Sequence, residues 1–339
     1  MRHQNCYGYE EPQQGQDQNQ GEIMRLQSKK LAVGLFAAGA MLFAACGGSN
    51  SDSAGGTETI KIARNNWTAS AIEAEIVKQL IETNLGNPVE IVDIDENAMI
   101  PGMSTGDIDA NVEVWPSGFT ADEQAFIDDG SVVNMGTLGA IGKIGWFVTP
   151  NALEQFPQLA TWEGLKDPAV SKAFATAATG SQGRMLAMDP SFSGYEEQLV
   201  KNLKLDFKVQ YSGSEAATQA EIIALTEAKK PVIMYYWMPS AAVGKFGLIN
   251  LVLPKSTVDC ALEADKCDGD YPEDVLFKVA SAKLEAKDAK VFKFFKNYQM
   301  STADQLATLP AVEIDGRPAA EVAAEWIAAN EAVWSAWFK

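Results

Sequence analysis

Histidine is nearly absent from this sequence: His3 is the single one among 339 residues. It lies in an N-terminal segment that we expect the mature protein to lack. Histidine general bases, Ser-His-Asp and Cys-His nucleophile systems and histidine-ligated metal sites are therefore excluded. Basic residues are also few, with 27 Lys and Arg against 45 Asp and Glu and a net charge of −18. A surface this acidic repels phosphate backbones, which argues against nucleic acid as a partner.

Motifs for nucleotides and for activated nucleophiles are missing as well. No G-x-G-x-x-G follows a predicted strand, and no G-x-S-x-G occurs. The segment 139–144 is not a P-loop, because Ile144 rather than Ser or Thr follows Lys143. Only Asp, Glu, Lys or Tyr remain for catalysis, and no arrangement of them points to a reaction. We therefore predict a protein that is not an enzyme and that has no cofactor and no metal.

An export signal is predicted near the N-terminus. Basic residues precede an apolar run at 31–45, which is short for a transmembrane helix. The residue after this run is Cys46, and together they resemble a bacterial lipobox, which implies an anchor on the extracytoplasmic face of the cell membrane. We assign 24–45 as the signal peptide, 46–57 as a flexible tether and 1–23 as a leader upstream of the true start. The alternative is a plain secretory signal with a chance cysteine.

Two further cysteines, Cys260 and Cys267, lie close together in a loop-like segment. In an exported chain such a pair is predicted to form a disulfide. The alternative is a metal site, but no other cysteine or histidine is available to complete one.

The remainder of the chain alternates between predicted strands and helices. With 47% hydrophobic and 21% charged residues, its balance is that of a globular protein. Strands separated by helices of this length indicate an α/β fold with mostly parallel sheets. We predict a first lobe from 58–143 and 243–339 and a second lobe from 144–242. The predicted strands are 59–64, 88–94, 109–115, 184–189, 207–212, 231–237 and 248–254, with an extended crossing segment at 144–149 and two or three closing helices.

Three tryptophans stand where predicted strands end: Trp67, Trp115 and Trp237. The carboxyl ends of strands in open α/β sheets face the ligand crevice. Several indoles there can enclose a quaternary ammonium group, which donates no hydrogen bond and is held by cation–π attraction. A single such tryptophan is as often an ordinary buried residue. The three together favour a binding site.

These residues lie in segments that resemble a known family. The segments NNW, GDIDANVEVWPSG, DPSFSG and KPVIMYYWMPS are similar to those of glycine betaine and proline betaine substrate-binding proteins of ABC importers. The resemblance extends from about Thr59 to Trp337. It implies a type II periplasmic-binding-protein fold with two lobes and a ligand cage in the cleft. It also implies an ABC permease as partner of a monomeric receptor.

The resemblance assigns roles to individual residues. Trp115 and Trp237 match tryptophans of the family's cage, and Phe192 stands where the family often has a third. Trp67 matches a tryptophan of the choline-binding branch. That branch places an aspartate two residues later, where this sequence has Ala69, which argues for a ligand that carries its own carboxylate.

A place for that carboxylate is predicted at Ser193 and Gly194, whose amides would open a helix and attract an anion. Ser193 could instead act only as a helix cap. The predicted ligand is glycine betaine or a similar quaternary ammonium solute. The alternatives are choline, an amino acid or another small solute on the same fold, an exported enzyme that uses carboxylates, or a structural surface lipoprotein. The sequence leaves open whether four other residues line the cleft: Arg64, Glu113, Trp146 and Tyr195.

Overall fold

The computed structural model of the protein describes residues 58–192 and 194–339. The predicted leader, signal peptide, tether and lipidated Cys46 lie outside the described residues, as does Ser193. Within the described residues, no helix has the length and apolar character needed to cross a bilayer.

Nine strands of the described chain join in one sheet, in the order β2-β1-β3-β9-β4-β7-β5-β6, with β8 paired to β4. The strands are Ile60–Arg64 (β1), Val89–Asp93 (β2), Ala110–Val114 (β3), Val132–Val148 (β4), Gly183–Ala187 (β5), Phe207–Tyr211 (β6), Ile233–Met238 (β7), Ile249–Leu251 (β8) and Glu273–Ser281 (β9). Strands β1 to β3 run parallel to one another, as do β5 to β7. The α/β architecture is confirmed, but the sheet is mixed, because the pairings of β4 and β9 are antiparallel.

Helices connect the strands and cover the sheet. They are Thr68–Asn84 (α1), Glu96–Thr105 (α2), Ala121–Asp128 (α3), Pro150–Gln155 (α4), Pro168–Phe174 (α5), Glu196–Asn202 (α6), Glu215–Glu227 (α7), Ala241–Phe246 (α8), Leu284–Lys287 (α9), Ala289–Asn297 (α10), Thr302–Leu309 (α11), Ala319–Ala329 (α12) and Glu331–Trp334 (α13). Helix α1 shows why the sequence folds this way. Its apolar residues Ile72, Ile76 and Leu80 recur at helical spacing and are fully buried. The chain then turns at Gly86, whose φ of 77° glycine adopts without strain.

The long strand β4 joins the two halves of the sheet. Its residues 132–143 pair with β9, and its residues 143–148 pair with β7. We call β2, β1, β3 and β9 the first half, and β7, β5 and β6 the second half. The sequence predicted only 144–149 as extended, so the observed strand is much longer. The boundaries of the predicted lobes stay a prediction.

Strand β9 is absent from the sequence prediction and lies in the centre of the sheet, antiparallel to β3 and β4. Its interior carries Asp274 and Lys278, both fully buried. Asp274 accepts the backbone N–H of Ser117 (2.7 Å), and the Lys278 ammonium donates to the carbonyl of Lys296 (3.2 Å). Polar residues with buried partners interrupt the apolar pattern that marks a strand, which explains the omission.

A disulfide joins Cys260 to Cys267 in the segment between β8 and β9. Replacing both cysteines with serine is expected to lower the free energy of unfolding by about 2–3 kcal/mol, because the short loop gains freedom in the unfolded chain. Urea denaturation of the double variant measures this loss. Reduced wild-type protein should shift to the same midpoint, whereas unchanged midpoints in both samples would contradict the expectation.

Candidate functional site

One pocket of the structure is walled almost entirely by aromatic rings. Its walls include Trp67 after β1, Trp115 after β3, Phe192 in the loop after β5, and Tyr235 and Trp237 within β7. The structure thus brings the three strand-end tryptophans and Phe192 to one place. Both halves of the sheet contribute residues to its walls.

The rings stand at steep angles to one another. Phe192 contacts Trp67 edge to face, with centroids 5.6 Å apart and planes at 81°. It contacts Trp237 in the same manner at 5.9 Å and 74°, and Tyr235 meets Trp237 at 6.2 Å and 63°. Behind the pocket, Tyr236 stacks on Trp237 at 5.1 Å and 15°. Such contacts hold the rings at fixed angles, so the walls of the pocket are preorganised.

The Trp115 ring lies directly on the backbone of β4. A Cβ atom added at Gly142 would stand 2.2 Å from Cζ3 of this ring. Glycine is therefore required at position 142 for the ring to occupy the pocket wall. The indole N–H of Trp115 donates to Oε1 of Glu113 at 3.0 Å, which fixes the rotation of the ring.

A carboxylate also lines the pocket. Glu96 is the first residue of α2 and follows directly after β2. Its negative charge helps to raise the pKa of Tyr195 and of Tyr235, which places the carboxylate near the aromatic wall. The remaining lining residues are Gly118 and Ile144. An aromatic pocket with one carboxylate suits a small cation.

Sequence reasoning missed Glu96 and Tyr235, although signals for both were present. The carboxyl end of β2 lies at the same edge of the sheet as those of β1 and β3, so Glu96 is the next residue to be expected there. Tyr235 precedes Trp237 by two residues on one strand, so both side chains point to the same face. This sequence has Ala69 where the choline-binding branch has an aspartate, but Glu96 of α2 supplies a carboxylate to the pocket instead.

Hydrogen bonds tie the two halves of the sheet together beside the pocket. The backbone N–H and the hydroxyl of Thr68 donate to Oε2 of Glu215 at 2.9 and 2.8 Å. Burial raises the pKa of Glu215 to about 7. Nearby, the Asn66 amide donates to Asp189 at 2.6 Å. These bonds join the start of α1 and the residues before it to segments that follow β5 and β6, next to Trp67.

The predicted start of helix α6 is wrong. The helix begins at Glu196 rather than at Ser193 and Gly194. The Gly194 N–H donates to the carbonyl of Phe192 at 2.8 Å, so this amide is already paired inside the loop. Burial of Glu196, whose carboxylate accepts the Tyr271 hydroxyl at 2.7 Å, sets the position of the first turn. The geometry therefore gives no support for a ligand carboxylate at Gly194.

The four residues that the sequence left open are placed outside the aromatic pocket. Arg64 pairs with Asp93 on the surface, and Trp146 is fully buried in β4. Tyr195 is buried and donates its hydroxyl to the carbonyl of Ser117. Glu113 lies behind Trp115 and is 1% exposed. Among the residues that the structure describes, no cluster of three His, Cys, Asp or Glu side chains is arranged to hold a metal.

Known proteins resemble this chain in sequence and in fold. A curated relative is the trimethylamine N-oxide-binding protein of Pelagibacter ubique (strain HTCC1062), which is 29% identical over 299 residues and covers 85% of this chain and 93% of its own. Among solved structures, lactococcal OpuAC in its closed-liganded conformation complexed with glycine betaine aligns with a TM-score of 0.67 at 18% identity, covering 83% of this chain and 100% of that one. An ABC-transporter choline binding protein in complex with choline aligns with a TM-score of 0.66 at 16% identity, and the alignment covers 82% of this chain and 91% of that one. Both structures are of the two-lobed periplasmic-binding-protein type, which confirms the predicted fold.

The family model for the substrate binding domain of ABC-type glycine betaine transport systems matches residues 58–329. Proteins of this kind are solute receptors and not enzymes. They act outside the cytoplasm and deliver their ligands to an ABC permease in the membrane. The match spans most of the chain, so the chain belongs to the family of substrate-binding domains of ABC-type glycine betaine transport systems.

Proposed function

We propose that this protein is the receptor of an ABC importer for trimethylamine N-oxide. The observation that carries the proposal is Glu96, a carboxylate in a pocket otherwise walled by aromatic rings. The ligand's three methyl groups and positive nitrogen would face Trp67, Trp115 and Trp237, each of which contributes about 0.5–2 kcal/mol through cation–π attraction.

Trimethylamine N-oxide, glycine betaine and choline share a trimethylammonium head and differ in their polar end, so the contacts of the polar end determine which of them the pocket prefers. The oxide oxygen of trimethylamine N-oxide is a strong acceptor and can share one proton with the Glu96 carboxyl group. The carboxylate of glycine betaine is a much weaker base than the oxide oxygen and does not hold such a proton. It would therefore face the negative charge of Glu96, and like charges repel strongly in a site shielded from water. The predicted ligand carboxylate also finds no open amide at Gly194. The curated relative from Pelagibacter ubique, which is a trimethylamine N-oxide-binding protein, supports the same ligand.

Choline is the second candidate, because its hydroxyl could donate to Glu96. It is larger than trimethylamine N-oxide, and the wall residues Trp67, Trp115, Tyr235 and Trp237 are each 7% exposed or less. A pocket closed to this degree favours the smallest ligand that presents a trimethylammonium head and an oxygen.

Calorimetric titration of trimethylamine N-oxide, choline and glycine betaine tests the proposal. The wild-type protein should bind trimethylamine N-oxide most tightly. Glu96→Gln should weaken that binding by about tenfold or more, because it replaces a charge-assisted hydrogen bond by a neutral one. The same variant should not weaken the binding of glycine betaine. Asp95→Asn is the matched control, since it removes an exposed neighbouring carboxylate that does not line the pocket. Tighter binding of glycine betaine by the wild type would overturn the proposal.

Two further features belong to the proposal. Trp67, Trp115, Phe192 and Trp237 form the cage for the ligand's cationic head, and Cys46 anchors the receptor through a lipid at the extracytoplasmic face of the membrane. Mass spectrometry of the mature N-terminus checks the anchor, since a lipidated Cys46 adds a defined mass and an unmodified one does not.

A further inference from the structure

We propose that Glu113 and Glu73 form a buried carboxyl pair in which Glu113 carries a negative charge that orients the Trp115 indole and strengthens the attraction of the pocket for the cationic ligand. Glu113 is a positioning residue, since it acts through Trp115 and Trp67 and does not line the pocket. The inference rests on the proposed use of the pocket for a trimethylammonium head, but it does not depend on which such solute binds.

Glu113 contacts the cage from behind. It precedes Trp115 by two residues, and Trp115 Nε1 donates to Glu113 Oε1 at 3.0 Å. The strand is irregular here, and the Glu113 N–H donates to the side chain of Asn111 at 2.8 Å instead of continuing the ladder. The Trp67 N–H is buried outside hydrogen-bond geometry, yet it lies close enough to lower the pKa of Glu113. Glu113 therefore holds the Trp115 wall by a hydrogen bond and acts on the Trp67 wall only through its charge.

Glu73 is the partner of this carboxylate. It lies on α1 with no exposed surface, and the Gln305 amide donates to its Oε1 at 2.8 Å. The Oε2 atoms of Glu73 and Glu113 are both buried without a hydrogen-bond partner in the described residues. The negative charge of Glu113 helps to raise the pKa of Glu73. Two buried carboxylates that interact in this way do not both ionise, so the pair holds one proton between them.

The surroundings decide which member holds the proton. Burial and the charge of Glu113 raise the pKa of Glu73 well above its usual range. Burial also raises the pKa of Glu113, to about 7, while the N–H groups of Trp67 and Trp115 oppose the rise. Glu73 has no indole donor of this kind and is therefore the protonated member. Glu113 is the member that ionises near neutral pH.

Charged and titratable groups from the other packed elements complete the environment of the pair. The set comprises Lys278 of β9, Asp304 of α11, Tyr298 after α10 and Glu215 of α7. Lys278 is the one cation in this set, and its ammonium donates to backbone carbonyls rather than to either carboxylate. The Lys278 charge lowers the pKa of Glu73, but no ion pair among the described residues neutralises either carboxylate. A ligand cation in the pocket can therefore interact with the negative charge of the pair.

The sign of the pH dependence follows from this arrangement. A cation in the pocket favours the ionised form of Glu113, so ligand affinity should rise as pH increases through about 7 and fall as the pH decreases below it. By reciprocity, ligand binding near neutral pH should lower the pKa of Glu113 and release protons. An indole that donates to a carboxylate also carries more electron density on its face, which acts in the same direction.

Isosteric variants in the full chain test the inference. Glu113→Gln keeps an acceptor for the Trp115 N–H but removes the charge. Its affinity for trimethylamine N-oxide and choline should be about tenfold weaker at neutral pH, and the loss of affinity between about pH 7.5 and about pH 5.5 should shrink relative to wild type. Choline keeps its charge at every pH, so its titration reports the protein alone. Glu96 is present in both proteins, so the difference between them isolates Glu113.

Two other variants supply controls. Glu73→Gln imitates the protonated partner and should retain affinity within about twofold, with the wild-type pH profile. Glu123→Gln removes a buried carboxylate of α3 that caps its own helix, and should leave binding unchanged. Titrations with choline in two buffers of different ionisation enthalpy should detect proton release in the wild type that is reduced in Glu113→Gln.

Wild-type affinity and an unchanged pH profile in Glu113→Gln would overturn the inference. So would equal losses in the Glu73 and Glu113 variants, which would indicate a packing role only. If choline binds but trimethylamine N-oxide does not, the proposed ligand is wrong. The comparison of wild type with Glu113→Gln is then made with choline alone. If neither solute binds the wild-type protein, the cation role of the pair is overturned along with that of the pocket.

Discussion

Replacing Trp237 with alanine is expected to weaken binding of trimethylamine N-oxide by about 100-fold, the largest single effect in this protein. The ring contacts Phe192 and Tyr235 in the pocket wall and stacks on Tyr236 behind it. Its loss removes one cation–π face and releases the two neighbouring rings from their fixed angles. Calorimetric titration measures the change.

Two variants separate binding from folding in this experiment. Trp237→Phe keeps an aromatic face and should lose about tenfold or less. Trp162→Ala is the matched control, because that indole packs under the Lys166 ammonium at 4.3 Å and does not line the pocket. Thermal unfolding of each variant checks that the chain is folded. Near-native affinity in Trp237→Ala would refute the aromatic cage.

Gly142→Ala is expected to weaken binding by about tenfold or more, although position 142 needs no contact with the ligand. The added methyl group would stand 2.2 Å from Cζ3 and 2.5 Å from Cη2 of Trp115. Strand β4 pairs with β9 here and with β7 from Lys143 onward, so its backbone cannot retreat without breaking sheet hydrogen bonds. The Trp115 ring must therefore leave its place in the pocket wall.

Near-ultraviolet circular dichroism of Gly142→Ala should show the displaced indole, and titration should show the lost affinity. Gly244→Ala is the matched control, because nothing lies within 4 Å of the added methyl group and position 244 is inside helix α8. This control should bind as the wild type does and unfold at the same or a slightly higher temperature. Unchanged binding in Gly142→Ala would contradict the assigned position of Trp115.

The segment from β1 to β3 was predictable because the sequence patterns that mark its strands and helices are local. The run of Ile72, Ile76 and Leu80 at helical spacing predicts α1, and the turn at Gly86 ends it. The strands before and after this helix lie within a residue or two of their predicted bounds. Strand β9 was not predictable, because Asp274 and Lys278 find their partners in segments distant in the sequence.

Some residues of the candidate site could likewise be predicted from the sequence, and others could not. Trp67 and Trp115 follow strands and Trp237 stands near the end of another, so a general rule about the carboxyl ends of strands places all three at the ligand crevice. Glu96 obeys the same rule but was overlooked, since its sequence surroundings contain no aromatic residue. The start of α6 was misplaced because the burial of Glu196 against Tyr271, distant in the sequence, sets its first turn.

The sequence by itself determined the α/β class, the family resemblance and the aromatic character of the site, because each depends on residue types and spacings along the chain. Only the tertiary structure decided that Gly142 supports Trp115, that Glu96 lines the pocket and that the charge of Glu113 acts on the buried Glu73. These relations join residues from separate elements. Distances between such residues, and the burial that shifts their pKa values, exist only once the sheet and its helices have packed.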